Sequence, residues 1–368
     1  MRTLQQVFDP RLNALNLVRL ALALGVVLRH SFTMLGAPIT WGPLEVLLRS
    51  VFVDGFFAIS GYLIVSSWVR LPDWRRFMRA RCLRILPGFW VCLLLTAFVF
   101  APVHALLTGT PMNAAFFTDG FSYVWHNAAL WIFQDGIAGG PLGADPAEAG
   151  TWNGSLWTLS WEFICYLGVL GLGLTGLITR RWVIPSLFVV AVAVLALTEL
   201  PTFDIYLVHH ASRFATMFLA GAVIYQFQHR LPAAVWLLPV GLAVVLGSAA
   251  FLPDYRLIGA LPLAYVCIVA GAVIKAPALR LKNDLSYGTY IYAYPVQQLL
   301  VGAGLAGVGV GGYFLLSVLG TLPLAAASWF VIERPALRLK TSRKPAGDRA
   351  PQDPTPGPEP ASTPPPRH

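Results

Sequence analysis

Arg19-Leu20-Ala21-Leu22-Ala23-Leu24-Gly25-Val26-Val27-Leu28-Arg29-His30 is the stretch whose reading decides the fold. It lies within an apolar run from about Leu15 to Leu35, long enough to cross a bilayer as one helix. Arginine and histidine inside such a run are costly, and by default they raise a functional question. Arg19 and His30 stand 11 residues apart. At about 100° per residue they return to one helix face, separated by about 16 Å along the axis. A charge near one membrane surface thus shares a stripe with a titratable imidazole deep in the bilayer. The same pattern admits a plainer account, in which Arg19 snorkels to the headgroups and His30 hydrogen-bonds within a bundle.

The rest of the chain extends this reading. Hydrophobic residues make up 57% and charged residues 12% of 368, with a mean hydropathy of +0.66. A soluble domain carries about twice that share of charge. Apolar segments recur at about 15–35, 44–69, 83–103, 154–178, 182–200, 212–229, 233–252, 256–275, 285–305 and 311–332. They predict an all-α polytopic membrane protein with about ten transmembrane helices.

Basic residues gather in alternate loops: Arg70, Arg75, Arg76, Arg79, Arg81 and Arg84; Arg180 and Arg181; Arg230; Lys275, Arg280 and Lys282; then Arg334, Arg338, Lys340, Arg343 and Lys344. The intervening loops carry almost no Lys or Arg, which predicts that both termini are cytoplasmic. The same rule absorbs the net charge of +9 without invoking nucleic acid. No small-residue cleavage signature follows the first apolar run, so that span is expected to stay as an anchor. Residues 1–340 read as the transmembrane domain, and 341–368, polar and rich in proline, as a disordered cytoplasmic tail. Cys82, Cys92, Cys165 and Cys267 show neither a CxxC pair nor metal-ligand spacing, and no metal site is expected. Any chemistry must come from the bundle.

Depth then singles out three ionisable side chains. On the predicted topology His30, Asp54 and Glu162 reach one slab of the bilayer from three helices, roughly 10–20 Å from the helix ends. Facing lipid would be intolerable, so an internal cavity is expected. A histidine beside a carboxylate is a general-base arrangement. Each carboxylate alone could equally pair with Arg19, Arg29 or Arg213 and simply hold helices together. Residues 104–153, rich in Phe, Trp, Tyr, Gly and Pro, read either as a lid over a site or as an aromatic belt. The run Arg75-Arg76-Phe77-Met78-Arg79-Ala80-Arg81-Cys82-Leu83-Arg84 suits anionic headgroups or a phosphorylated cosubstrate.

Five segments, in order over about 10–340, resemble those of the acyltransferase-3 membrane family. Arg19 and His30 match its first-helix signature. Phe52-Val53-Asp54-Gly55-Phe56-Phe57-Ala58-Ile59-Ser60-Gly61-Tyr62-Leu63-Ile64 is similar to its Val-Asp-x-Phe-Phe stretch, and Arg84-Ile85-Leu86-Pro87 to the end of its basic segment. Ser155 to Phe163 resembles its Trp-Ser-Leu-x-x-Glu element, and Ser286-Tyr287 through Tyr290 to Pro295 its late tyrosine segment. Two departures stand out: Ala293 replaces a histidine common in the late segment, and Ala80 falls where the first arginine of an Arg-Arg-x-x-Arg pattern aligned on Arg84 belongs.

The resemblance implies an integral O-acyltransferase of the inner (plasma) membrane, with no bound cofactor. Acyl-CoA, in its acetyl form, would be the cosubstrate, and an envelope glycan or lipid-linked saccharide the acceptor. It implies catalysis by His30, with Asp54 and Glu162 orienting it or lining the acceptor route. Donor contacts would come from Arg19, Arg81 and Arg84, with Arg76 and Arg79 next. Membrane lipids are the remaining expected partners. A transporter or flippase using His30, Asp54 and Glu162 as a proton relay is the alternative; no convincing internal repeat supports it.

Overall fold

Asp73 shows how local chemistry sets the first long elements. Its carboxylate accepts hydrogen bonds from the backbone amides of Arg75 and Arg76, at 2.9 and 3.1 Å, and so caps a helix that starts at Trp74. The basic run is thereby helical, well before the start expected near residue 83. The computed structural model of the chain describes residues 1–141, 150–203 and 205–339. The predicted tail, 341–368, lies outside the described residues.

We label the principal helices α1 Leu15–Met34, α2 Gly42–Arg70, α3 Trp74–Thr108, α4 Ala114–Asn127, α5 Trp157–Leu174, α6 Val183–Thr198, α7 Tyr206–Phe227, α8 Leu237–Phe251, α9 Arg256–Val273, α10 Ser286–Gly302 and α11 Leu305–Arg338. A short turn, Leu4–Val7, precedes them. Among the described residues there is no strand, only isolated bridges at Thr3–Pro232 and Ile137–Gly140. Seven helices are long and apolar enough to cross a membrane: α1, α2, α3, α5, α7, α9 and α11. α6 and α8 are apolar but shorter. Their outward faces, with Val189, Val190 and Leu242, are exposed, as surfaces turned to lipid should be.

Small residues set the closest approaches. A Cβ placed on Gly61 would come within 1.8 Å of the Phe218 carbonyl, and one on Gly221 within 1.8 Å of the Ala58 carbonyl. α2 and α7 therefore touch backbone to backbone, the contact that small residues permit inside membranes. Gly25 fits against the Phe52 ring and Gly55 against Leu22, which locks α1 to α2. Gly271 receives Leu15 and ties α9 to α1.

α10 is the central element, buried from Ser286 to Gln298. Several of its polar side chains hydrogen-bond to neighbouring helices, although Gln297 Oε1 is buried without a partner among the described residues. Gln297 donates to the Val27 carbonyl and Ser31 Oγ, both at 3.0 Å, and Tyr287 donates to the Ile85 carbonyl at 2.7 Å. Asn153 donates to the Ile291 carbonyl at 2.8 Å. Hydrogen-bonded polar groups of this kind fix helix register where apolar packing alone would be permissive.

The segment 104–153 contains more helix than a loop reading suggests. α3 continues through a π-helical stretch, Thr96–Phe100, and α4 follows, capped by Asn113. Its aromatic residues divide. Phe116, Tyr123 and Trp152 are buried, whereas Phe117, Trp125 and Trp131 are exposed. Part of the segment is packed structure and part is an aromatic outer face.

Candidate active site

α1, α2, α5, α7 and α10 converge on two adjoining cavities. The first encloses about 260 Å³; His30, Arg29 and Val26 line it from α1, Arg49, Phe52 and Val53 from α2, and Trp157 and Thr158 from α5. Arg213 of α7 and Tyr290 of α10 complete it. The second, about 40 Å³, lies towards the opposite end of the bundle and is lined by Arg19, Phe56, Phe57, Glu162 and Tyr287. Val53, Thr158 and Tyr290 line both. Thr158 Oγ1 and Tyr290 OH are 2.6 Å apart. Because Thr158 also donates to the Ser155 carbonyl at 3.1 Å, Tyr290 is the donor of the pair. A hydrogen-bonded threonine and tyrosine thus form the partition between the two cavities.

His30 stands on the larger cavity, half-buried, with its ring edge-on to Tyr294 at a centroid distance of 4.9 Å. Tyr294 is itself held against Gly154, where a Cβ would fall 2.7 Å from its ring. No hydrogen bond reaches the imidazole from any described residue. The side chain is part of the lining of the larger cavity.

The two carboxylates expected beside His30 fall elsewhere. Asp54 is fully buried and lines neither cavity. Its carboxylate accepts from Tyr255 OH, from Arg256 Nε at 2.6 Å and from Arg213 Nε at 3.4 Å. The pairing with Arg213 weighed from sequence is therefore present. It joins α2, α7 and α9, and Arg213 stands between Asp54 and the cavity. Glu162 lies on the smaller cavity, accepting from Ser60 Oγ at 2.7 Å and Tyr166 OH at 2.6 Å.

The arginines divide in the same manner. Arg75, Arg76 and Arg79 are exposed at the end of the bundle, Arg76 with Asp73 at 3.7 Å. Arg81 and Arg84 turn inward. Arg84 pairs with Asp284 at 2.6 Å and Glu333 at 3.3 Å, and Arg19 pairs with the same Asp284 oxygen. Burial pushes the Asp284 carboxyl up, but Arg19 and Arg84 outweigh it and hold it at about 2. Arg81 lies 5.7 Å from the Phe77 ring and 5.9 Å from the Tyr166 ring and has no carboxylate partner among the described residues. Its Nε is buried without a hydrogen bond.

A family model described as an acyltransferase domain matches residues 12–330, nearly the whole membrane bundle. The chain belongs to the acyltransferase-3 family. Among curated proteins, "Nodulation protein 10" of Rhizobium leguminosarum bv. viciae is 29% identical over 90% of this chain and 94% of its own length. The "O-acetyl transferase" of Shigella phage Sf6 is 27% identical over 88% and 95%. "Exopolysaccharide production protein ExoZ" of Rhizobium meliloti is 26% identical over 79% and 90%. No solved structure matches. As a member of the acyltransferase-3 family the chain is a multi-pass membrane acyltransferase, and the two adjoining cavities are its candidate active site.

Sequence reasoning passed over Asp284, Glu333, Tyr255 and Arg256. Asp284 was legible as one acid in a loop otherwise read only for its Lys and Arg. Asp254-Tyr255-Arg256 carried a signal too, a charge pair at the mouth of an apolar helix.

Proposed function

We propose that this protein is an integral-membrane O-acyltransferase that moves an acetyl group from acyl-CoA to a hydroxyl of an envelope glycan or lipid-linked saccharide. The observation that carries this reading is the pair of cavities meeting at Thr158 and Tyr290, one lined by His30 and the other by Arg19 and Glu162. Acyl-CoA docks its phosphates at the arginine-rich end, where Arg81 lacks an acidic partner among the described residues. Arg19 and Arg84, braced by Asp284, shape the entry. The acyl arm reaches past the Thr158–Tyr290 partition towards His30. The acceptor occupies the larger cavity.

The reaction follows from these positions. The acceptor oxygen attacks the thioester carbonyl carbon, a C–O bond forms and the C–S bond breaks. His30 takes the hydroxyl proton and returns it to the leaving CoA thiolate. A route through an acyl-histidine has the same stoichiometry. Asp54 acts on the site through Arg213 rather than on the imidazole. The arginine-rich end faces the cytoplasm of an inner (plasma) membrane, as loop charge predicts.

The proton-relay transporter finds less support. A relay needs exchangeable carboxylates within reach of His30, yet none lines its cavity among the described residues, and Asp54 is engaged by Arg256, Arg213 and Tyr255.

Radiolabelled acyl transfer by the purified full chain, with donor binding measured in parallel, tests the proposal. His30→Gln should lower turnover by about 10²–10⁴-fold, the usual worth of general-base assistance, while acyl-CoA still binds. Near-normal turnover in a folded His30→Gln protein would remove His30 from the mechanism.

A further inference from the structure

Among the described residues, Val53, Thr158 and Tyr290 alone line both cavities. Two of them carry a hydroxyl, and they differ in where the proton goes. Thr158 donates to the Ser155 carbonyl at 3.1 Å, whereas Tyr290 donates to Thr158 Oγ1 at 2.6 Å. We propose that Tyr290 is a catalytic residue, the donor that holds the oxyanion formed when the acceptor hydroxyl attacks the thioester carbonyl. This rests on the acyltransferase reading and adds to it the group that meets the developing charge.

The position follows from α10. Tyr290 and Tyr294 stand four residues apart on that helix and so share one face, about 6 Å apart along its axis. Tyr294 packs edge-on against His30 at 4.9 Å, and Tyr290 reaches the junction with its ring edge-on to Phe56 at 5.8 Å. One helix face therefore backs the base and places the hydroxyl. The attacked carbon must lie where the donor arm from one cavity meets the acceptor from the other, and that is the junction. The arginines are placed less well for this task. Arg19 lines only the smaller cavity and is paired with Asp284. Arg29, Arg49 and Arg213 line only the larger, Arg49 paired with Glu45 and Arg213 with Asp54.

The resting bond makes the device selective for the transition state. At rest Tyr290 gives its proton to a neutral hydroxyl. When the acceptor oxygen adds to the carbonyl carbon, the π pair of the C=O bond moves onto the carbonyl oxygen and His30 takes the hydroxyl proton. That oxygen is now an anionic acceptor, and a hydrogen bond to an ionised group is about twice as strong as one between neutral groups. Tyr290 exchanges Thr158 for the oxyanion as charge develops. The interaction is absent from the ground state, so it lowers the barrier without tightening substrate binding. The intermediate then collapses: the C=O bond re-forms, the C–S bond breaks, and the CoA thiolate takes the proton from His30. Tyr290 keeps its own proton throughout and returns to Thr158.

The test uses membranes of the source organism, deleted for this gene and complemented with the full chain, which supply the acceptor. Initial rates of label uptake from radiolabelled acetyl-CoA give kcat and KM for the donor. Tyr290→Phe keeps the ring and its packing, and should lower kcat by about 10²–10³-fold with KM changed by less than about twofold. Thr158→Val removes the resting partner and leaves the Tyr290 hydroxyl in place, so its loss should be at least about tenfold smaller. Calorimetry on the purified full chain gives a readout without turnover. The probes are acetyl-CoA and trifluoroacetonyl-CoA, whose hydrated ketone presents a tetrahedral carbon. Tyr290→Phe should weaken trifluoroacetonyl-CoA by about tenfold or more and leave acetyl-CoA unchanged. Equal weakening of both probes would overturn the proposal, since a merely structural tyrosine would act in that way. Near-normal kcat in Tyr290→Phe would overturn it too. If Tyr290→Phe fails to fold, a ring-fluorinated tyrosine at position 290 keeps the O–H as a stronger donor and should keep wild-type turnover; a loss of about tenfold there would count against the role. Wild-type membranes that take no label from acetyl-CoA would refute the acyltransferase reading itself, whereas wild-type transfer with an unimpaired Tyr290→Phe protein would refute only the role of Tyr290.

Discussion

Gly61→Ala tests whether the backbone contact between α2 and α7 sets the active site. The new methyl would begin 1.8 Å from the Phe218 carbonyl oxygen, with the Phe218 carbonyl carbon at 2.8 Å and the Ala222 nitrogen at 3.2 Å. These are backbone atoms and cannot rotate aside. Restoring an ordinary carbon–oxygen contact of about 3.3 Å requires the helices to part by roughly 1.5 Å at the crossing. Overpacking of this kind typically costs about 1–3 kcal/mol, and the rigid obstacle argues for the upper part of that range. The functional consequence is specific. Asp54 lies two turns before Gly61 and Arg213 about two turns before Gly221, so separation at the crossing loosens the Asp54–Arg213 contact, already 3.4 Å long. Thermal unfolding in detergent reads the first effect, and acyl transfer at saturating donor reads the second. Gly168→Ala is the control, since its methyl meets nothing within 4 Å. A Gly61→Ala protein as stable as the Gly168→Ala control, with unchanged turnover, would refute the claim that this contact positions the site.

The remaining expectations concern the donor end and the partition. Arg81→Gln should raise the apparent KM for acyl-CoA by about tenfold or more, as expected for a charge-assisted phosphate contact, whereas exposed Arg79→Gln should change it little. Thr158→Ala enlarges the partition and should improve propionyl relative to acetyl transfer by about fourfold, the worth of one buried methylene near 0.8 kcal/mol; an unchanged ratio would place the acyl chain elsewhere. Asp284, held at about 2 against an ordinary value of 3.8, contributes stability above about pH 4 that is lost as pH falls towards 2. Unfolding temperature should therefore show no Asp284-dependent change between pH 5 and 8. Asp284→Asn, which leaves Arg19 and Arg84 without that charge, should cost about 3–5 kcal/mol at neutral pH.

The helical bundle was legible because membrane spans are written in composition: each expected apolar segment coincides with a helix. Boundaries moved where polar chemistry intervenes. α3 begins at Trp74 because Asp73 caps it, and α7 begins at Tyr206, which brings His209 and His210 into the helix. His30, Glu162 and the inward Arg81 and Arg84 were visible as charge where charge is costly. What sequence could not supply was azimuth. Depth estimates put Asp54 and His30 in one slab, but the Gly61–Phe218 contact turns Asp54 towards α7 and α9, where Arg213, Arg256 and Tyr255 enclose it. Sequence distance likewise hid Asp284, whose partners Arg19 and Arg84 lie 265 and 200 residues away.

A two-cavity site answers a difficulty built into the proposed reaction. The donor carries a highly charged nucleotide that belongs in water, whereas its thioester must react with a sugar hydroxyl and not with water. One open chamber would admit both competitors. In this protein charge is concentrated at either end, on Arg19, Arg81 and Arg84 at one and Arg29, Arg49 and Arg213 at the other, and the junction is narrow. Val53 supplies an apolar wall there, and Tyr290 and Thr158 satisfy each other, so a closed junction leaves no polar group in need of a water molecule. An acyl chain can displace that single neutral hydrogen bond, worth about 0.5–1.5 kcal/mol, whereas a phosphate would have to leave its guanidinium partners and its hydration behind. On the proposed reaction the partition would therefore sort the donor by chemistry, passing its apolar end and retaining its charged one. Water exclusion at the same point would protect the proposed thioester until a hydroxyl is seated beside His30.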